Sequence, residues 1–248
     1  MMALRIAQHE LRRLFHGPLA WLVLASVQFF AALFFFVMLS RFLEPSGWAA
    51  GRGLSGSVVS GTLQLTATLL LMMAPFLTMR LFSEEQRLGT LPLLLSAPIT
   101  LTELVLGKFL GIVVFLCAAL ALVALMPLSL LLGTNLDLGQ FAAGILGLVL
   151  LLSAFAAIGL FISTLTSQPA VAAAGSFATL FMLWIIHIAG QGSSDRAAAV
   201  FTYLSMLRHY ENLLDGYFRS VDVIYYLLLI VMFLALGIWR LDAMRSNP

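Results

Sequence analysis

The amino-acid sequence predicts an all-α integral membrane protein with six transmembrane helices. Of its 248 residues, 62% are hydrophobic and 10% are charged, against about 45–50% and about 25% in an ordinary soluble domain. A helix that spans a bilayer needs about 20 apolar residues. The chain has six apolar segments of roughly this length, and none of them contains Asp, Glu, Lys or Arg. Together these observations exclude a water-soluble fold.

The six predicted spans form a single transmembrane domain, residues 1–248, and lie at about 18–39, 58–79, 109–132, 141–162, 170–189 and 221–239. They can be delimited because a charge at the centre of a spanning helix costs about 2.5–3.5 kcal/mol on insertion. The last apolar segment is short. We therefore expect its helix to begin with Ser220 as N-cap and Asp222 in the first turn, where a carboxylate suits the helix macrodipole.

The distribution of basic residues predicts the orientation. An even number of spans places both termini on one side, and cytoplasmic loops are enriched in Lys and Arg. Eight of the 13 Lys and Arg residues lie on the side of the termini: Arg5, Arg12, Arg13, Arg80, Arg87, Lys108, Arg240 and Arg245. The other five are Arg41, Arg52, Arg196, Arg208 and Arg219. We therefore expect both termini in the cytoplasm.

The N-terminal segment, residues 4–15, is predicted to be an interfacial helix on the membrane surface. Its apolar face consists of Leu4, Ala7, Leu11, Leu14 and Phe15. The pair His9 and Glu10 begins an HExxH zinc pattern, but Arg13 stands where the second histidine is required. We expect no metal site in this segment.

The connection between spans two and three reads RLFSEEQRLGTLPLLLSAPITLTELVLGK and has the signals of structured chain. Ser83 is predicted to cap a short helix. The first turn of that helix holds Glu84, Glu85 and Gln86, the last completing a capping box. Gly89 permits a break, and Thr100 or Thr102 can cap the helix that follows.

A leucine cluster follows the break at Gly89 and consists of Leu91, Leu93, Leu94 and Leu95. An apolar surface on the cytoplasmic side of a membrane protein can lie against lipid or bind a soluble partner. Composition leaves both readings open.

The stretch between spans five and six, residues 190–223, is predicted to hold two short helices, at 196–207 and 209–218. It is too apolar to extend freely into water, so we expect it to dip toward the membrane as an outer lid. The predicted lid residues are Phe201, Leu204, Leu207, Tyr217 and Phe218.

The sequence offers no catalytic constellation. The pair Gly107 and Lys108 lacks the other residues of a phosphate-binding loop. An intramembrane serine hydrolase would need Ser153 or Ser176 beside His187. Ser176 and His187 lie about 16 Å apart along one predicted helix. The formal net charge of +2 gives no indication of a nucleic-acid partner, and spans without ionisable residues disfavour ion-coupled transport.

Four stretches together resemble the ABC-2 type exporter permeases, most closely the gliding-motility-associated branch. The first is FSEEQRLGTLPLLLSAPITLTELVLGKF at 82–109. The others are HELRRLFHGPLAW at 9–21, FISTLTSQPAVAAAGSF at 161–177 and LRHYENLLDGYFRSVDVIYYL at 207–227. Pro169 departs from this pattern, where an aliphatic residue is expected.

The resemblance implies a half-transporter in a bacterial cytoplasmic membrane. It would pair with a second permease copy or paralogue and with two separate ATPase subunits, which would bind the ATP and Mg²⁺, while this chain binds no cofactor. Glu84, Glu85, Arg87, Gly89 and Thr90 would lie at a coupling helix seated on the ATPase, with Leu91 to Leu95 as the apolar contact. Arg5, Arg12 and Arg13 would belong to a connecting helix, and residues 190–223 would be re-entrant outer helices.

The sequence therefore predicts the membrane subunit of an ATP-driven exporter. Two alternatives stay open at this point. One is mechanotransmission, in which the motion acts on an auxiliary periplasmic protein, and the other is a non-transporting membrane scaffold.

Overall fold

A computed structural model describes residues 2–44, 53–96, 99–134, 136–190 and 195–246, and within these ranges the chain is helical without any strand. Arg52 and the side chains of Leu95 and Arg196 lie outside the described residues. The helices are α1 Met2–His16, α2 Pro18–Leu43, α3 Ser60–Thr78, α4 Ser83–Arg87, α5 Leu91–Ser96, α6 Leu101–Ser129, α7 Leu138–Leu165, α8 Pro169–Gly190, α9 Asp195–Leu204, α10 Met206–Leu214 and α11 Ser220–Ser246.

Six helices are long and apolar enough to span a membrane, which confirms the predicted number. They lie at Pro18–Leu43, Ser55–Arg87, Leu101–Leu132, Leu138–Leu165, Pro169–Ala189 and Ser220–Arg245. The main difference in bounds is in the third span. Its helix begins at Leu101, because the Thr100 hydroxyl accepts from the Glu103 backbone N–H and the Glu103 carboxylate accepts from the Thr100 backbone N–H. Lys108 therefore lies inside α6.

The prediction that Ser83 caps a short helix is wrong. The N-cap position of α4 is Phe82, and the Ser83 hydroxyl donates to the Met79 carbonyl one turn earlier. The chain continues to turn in the helical sense after α3, which brings the Met79 carbonyl within reach of the Ser83 hydroxyl.

Pro169 is the first residue of α8, a position at which the missing N–H of proline loses no helical hydrogen bond.

The buried face of α1 also differs from the prediction. Ala7 and Glu10 are its buried residues, whereas Leu4 is largely exposed. Ile6, Leu11, Leu14 and Phe15 pack partly against the core. The helix lies against α6, so the buried face includes Glu10 at the border of the predicted apolar face and leaves out Leu4.

Helix α7 lies at the centre of the bundle. Every residue from Leu151 to Leu160 is buried, and α3, α6, α8, α10 and α11 all contact this helix. Helix α2 is much less buried within the chain than α7. In this arrangement α7 is the centre of the packing, and most of the surface of α2 is exposed on the outside of the bundle.

Close packing between α3 and α7 depends on Gly159. A Cβ atom at this position would overlap the side chain of Thr78. We expect Gly159→Ala to lower the free energy of unfolding by about 1–3 kcal/mol, since the helices must separate to admit the methyl group. Unfolding in detergent micelles, titrated with SDS and followed by circular dichroism, measures this.

The matched control for that variant is Gly133→Ala, because a Cβ at Gly133 meets no atom within 4 Å. We expect its stability to stay within about 0.5 kcal/mol of the parent protein. Equal effects of the two substitutions would contradict the packing described for Gly159.

Candidate functional site

A buried charge cluster lies at one end of α6, and we call its members Glu10, Arg13, Glu85 and Lys108 the inner cluster. The Lys108 side chain is only 3% exposed. Its Nζ atom donates to the Leu81 carbonyl at 2.7 Å and to Glu85 Oε1 at 2.6 Å. Glu10 Oε2 lies 3.8 Å from the same nitrogen. One ammonium group thus joins α1, α4 and α6.

The inner cluster is electrically balanced, with two acidic and two basic side chains. Glu10 Oε1 lies 2.9 Å from Arg13 Nη2, and Arg13 also donates to the Arg80 carbonyl at 3.4 Å. Desolvation of a buried ion costs several kcal/mol unless opposite charges and hydrogen bonds offset it. Here each buried charge has an opposite charge beside it, so the cluster can persist inside a hydrophobic bundle.

Two glycines on α6 let α1 approach closely enough to form the cluster. A Cβ on Gly107 would lie 2.7 Å from the Ile6 Cβ atom, and one on Gly111 would lie 2.9 Å from the Glu10 Cβ atom. Small residues four positions apart commonly allow a second helix to approach closely in membrane proteins. The close approach of α1 to α6 places Glu10 beside Lys108.

Helix α4 is fixed to the bundle at further points. Gln86 Nε2 donates to the Thr164 carbonyl at the end of α7, at 3.0 Å. Lys108 Nζ also lies 4.9 Å from the centre of the Phe82 ring, a cation–π distance. The short helix is therefore held by α6 and α7 together.

The residues predicted to couple to an ATPase divide into inward and outward groups. Ser83 and Leu91 are buried, and Glu85 and Gln86 bind inside the bundle. Glu84 and Leu94 are half-buried, and the exposed group is Arg87, Gly89, Thr90 and Leu93. Gly89 has a positive φ of 69°, as the predicted break requires. Leu88, which was not among the predicted coupling residues, is 68% exposed.

The pairing of Glu10 with Lys108 was not predicted, because the two residues lie far apart in the sequence and come from separate helices. The signal that could have drawn attention to them was Gly107 and Gly111 flanking a lysine at the edge of an apolar span.

A second buried polar cluster lies between α10 and α11. His209 Nδ1 is 2.5 Å from Asp222 Oδ1, and His209 Nε2 is 2.8 Å from the Tyr203 carbonyl. Both ring nitrogens of His209 therefore lie within hydrogen-bond distance of an oxygen atom, which fixes the orientation of the ring. The Tyr225 ring stacks on the imidazole at 4.1 Å, and Asn212 donates to Asp222.

The two short helices predicted between spans five and six are present as α9 and α10. Among the predicted lid residues, Leu204, Tyr217 and Phe218 are exposed, and Phe201 and Leu207 are half-buried. Helix α10 packs against α7, where Gly147 faces Tyr210 and Leu213. The lid role itself stays a prediction.

The serines considered for hydrolysis are engaged elsewhere or isolated. Ser153 donates to the Val149 carbonyl, and the buried Ser176 hydroxyl has no hydrogen-bond partner among the described residues. His187 Nδ1 lies 3.3 Å from Ser205 Oγ instead. Ser205 is fully buried at the start of α10, so this pair offers no accessible nucleophile.

Comparison with protein-family models finds a match to the model described as ABC-2 family transporter protein. The match covers residues 4–245, nearly the whole chain. No curated protein matches the sequence.

The inner cluster predicts a large effect for Lys108→Met. The substitution leaves the Glu10 and Glu85 carboxylates without their shared cation, and Glu85 Oε2 already has no hydrogen-bond partner in the described structure. We expect the free energy of unfolding to fall by about 3–5 kcal/mol. SDS titration of the purified protein measures this change.

The matched control is Arg208→Met, because Arg208 forms an exposed ion pair with Glu211 at 3.8 Å. Exposed pairs contribute about 0–1 kcal/mol, so this variant should unfold close to the parent protein. A Lys108→Met protein as stable as the control would mean that the inner cluster is not stabilising.

Proposed function

The chain belongs to the ABC-2 family of transporter proteins, and from this premise we propose that it is the permease subunit of an ATP-driven exporter. In this proposal it pairs with a second copy or a paralogue and with two ATPase subunits in a bacterial cytoplasmic membrane. ATP and Mg²⁺ are bound by those subunits. The family match names no branch, so the gliding-motility-associated branch stays a prediction.

The observation that carries the proposal is the attachment of α4 to the bundle interior. Leu88 and Leu93 are 68% and 73% exposed beside the exposed Arg87, so this segment offers apolar and basic surface to a soluble protein. On its other side, Glu85 binds the buried Lys108. A force applied at the exposed leucines would therefore act on α1 and α6 through the inner cluster.

Export and mechanotransmission share this mechanism of energy input and differ in what the motion acts on. In export, closure of the ATPase subunits switches the paired permeases between inward- and outward-facing states. In mechanotransmission, the same motion acts on an auxiliary periplasmic protein. The proposal favours export because the family is one of transporter proteins.

The test is a charge placed on the exposed surface. We expect Leu93→Glu to abolish co-purification of the ATPase subunit and to remove permease-stimulated ATP hydrolysis, because a carboxylate in an apolar contact is desolvated without a partner. Membrane insertion should be unchanged, since Leu93 lies outside the spans. The measurement is the ATPase rate of the purified complex, with the recovered subunit identified by its phosphate-binding loop.

Leu132→Glu is the matched control, as Leu132 is 95% exposed at the last residue of the span Leu101–Leu132, at the end opposite to α4. It should leave ATP hydrolysis at the parent rate. Recovery of a soluble partner that lacks a phosphate-binding loop would favour the scaffold alternative, and full stimulation in Leu93→Glu would place the coupling surface elsewhere.

A further inference from the structure

Helix α1 carries a line of basic side chains on its outer face. Arg5, His9, Arg12 and His16 follow one another at intervals of four, three and four residues. In a helix with 3.6 residues per turn, this spacing places the four side chains within about 60° of one another around the axis. All four residues are exposed. We call them the basic stripe.

The basic stripe lies opposite the face of α1 that packs inside the protein. That inner face contains the buried Ala7 and Glu10 and lies against Gly107 and Gly111 of α6. The apolar side chains that pack partly against the core also belong to this side of the helix. Besides the basic stripe, the exposed residues of α1 are Met2, Leu4 and Gln8. The helix therefore meets its surroundings mainly through basic groups.

No acidic side chain offsets the charge of the stripe. Glu10 is the only acidic residue of α1, and its buried carboxylate lies beside Arg13 and Lys108. In the described ranges of the chain, neither Arg5 nor Arg12 has a carboxylate within ion-pair distance. Two guanidinium groups thus stand on one exposed face without an opposite charge from the protein.

The basic stripe ends beside the first span. Gly17 has extended backbone, with φ −84° and ψ 139°, and separates α1 from α2, which begins at Pro18. Trp21, in the first turn of the span, is 58% exposed, and its indole N–H donates to the Phe15 carbonyl at 2.7 Å. Tryptophan at the end of a span is typical of the headgroup layer. The hydrogen bond from Trp21 therefore holds the end of α1 at that layer.

We propose that the basic stripe binds anionic phospholipid headgroups of the leaflet on the side of the termini, with Arg5 and Arg12 on their phosphate groups. A guanidinium binds phosphate oxygens in a bidentate fork. Basic side chains next to a span attract anionic lipids. A second copy of the stripe is a poor partner, because like charges would face each other.

A soluble acidic protein could satisfy the same charges, but the hydrogen bond from Trp21 to the end of α1 favours the membrane. The stripe uses none of the residues that the proposed function gives to the ATPase. Lipid binding here is therefore tested separately from ATPase coupling.

The experiment compares two lipids that differ only in headgroup. The purified protein is placed in nanodiscs of phosphatidylglycerol or phosphatidylcholine with identical acyl chains, and hydrogen–deuterium exchange of the α1 peptides is followed by mass spectrometry. Exchange in the parent protein should be slower in phosphatidylglycerol, because a ligand bound to the folded helix opposes its opening. Arg5→Gln with Arg12→Gln should remove this difference.

A second measurement gives the size of the effect. The protein is re-extracted in mild detergent from vesicles that contain the two lipids in equal amounts, and native mass spectrometry counts the lipids retained per chain. The parent protein should retain phosphatidylglycerol in preference. This preference should fall by about five-fold for each arginine that is replaced by glutamine.

The matched control is Arg208→Gln with Arg245→Gln, which makes the same change of net charge at exposed arginines of α10 and α11. It should keep both the slower exchange of α1 and the lipid preference. If the double stripe variant fails to fold, Arg5→Gln alone serves, since Arg5 lies on the exposed side of α1.

Two results would overturn the proposal. One is equal exchange of α1 in the two lipids in the parent protein, or an unchanged difference in the stripe variants. The other is slower exchange of α1 on addition of the ATPase subunit in phosphatidylcholine, with no effect of phosphatidylglycerol, which would mean that a soluble protein covers the basic stripe.

Discussion

The ion pair between Lys108 and Glu85, 2.6 Å long and almost withdrawn from solvent, is the interaction on which the cytoplasmic end of this protein depends. An ammonium group inside a hydrophobic bundle is tolerated only with compensating charge. That requirement draws Glu10 of α1 and Glu85 of α4 toward the same atom of α6. The charges thereby add a fixed polar joint to the apolar packing of α1 against α6.

Helix α7 connects this end of the molecule with the other. It contacts α4 where Gln86 binds the Thr164 carbonyl, and it contacts α10 where Gly147 faces Leu213. The two buried polar clusters lie near its opposite ends, and the helix between them is tightly packed. In the proposed mechanism, displacement of α4 would therefore reach α10 through a single rigid element.

The sequence predicted the spans well because the energetics of insertion are local and large. A charge inside a span is costly, so charge-free windows mark the helices. The Thr100 cap and the Gly89 break were also predictable, because each depends on interactions between residues close in sequence. The inner cluster was not predictable in this way. Glu10, Glu85 and Lys108 acquire their environment only when three helices pack, and no apolar period reveals an acid that is buried beside its partner.

In the proposed mechanism the inner cluster transmits the motion of α4 to α1 and α6, and the exposed leucines bind the ATPase. The most direct test measures ATPase binding and permease-stimulated ATP hydrolysis in the same purified complexes of the parent protein, Lys108→Arg and Lys108→Met. We expect all three proteins to bind the ATPase subunit equally, Lys108→Arg to keep a substantial part of the stimulation, and Lys108→Met to lose it. Full stimulation in a folded Lys108→Met complex would mean that the inner cluster does not transmit the motion of α4.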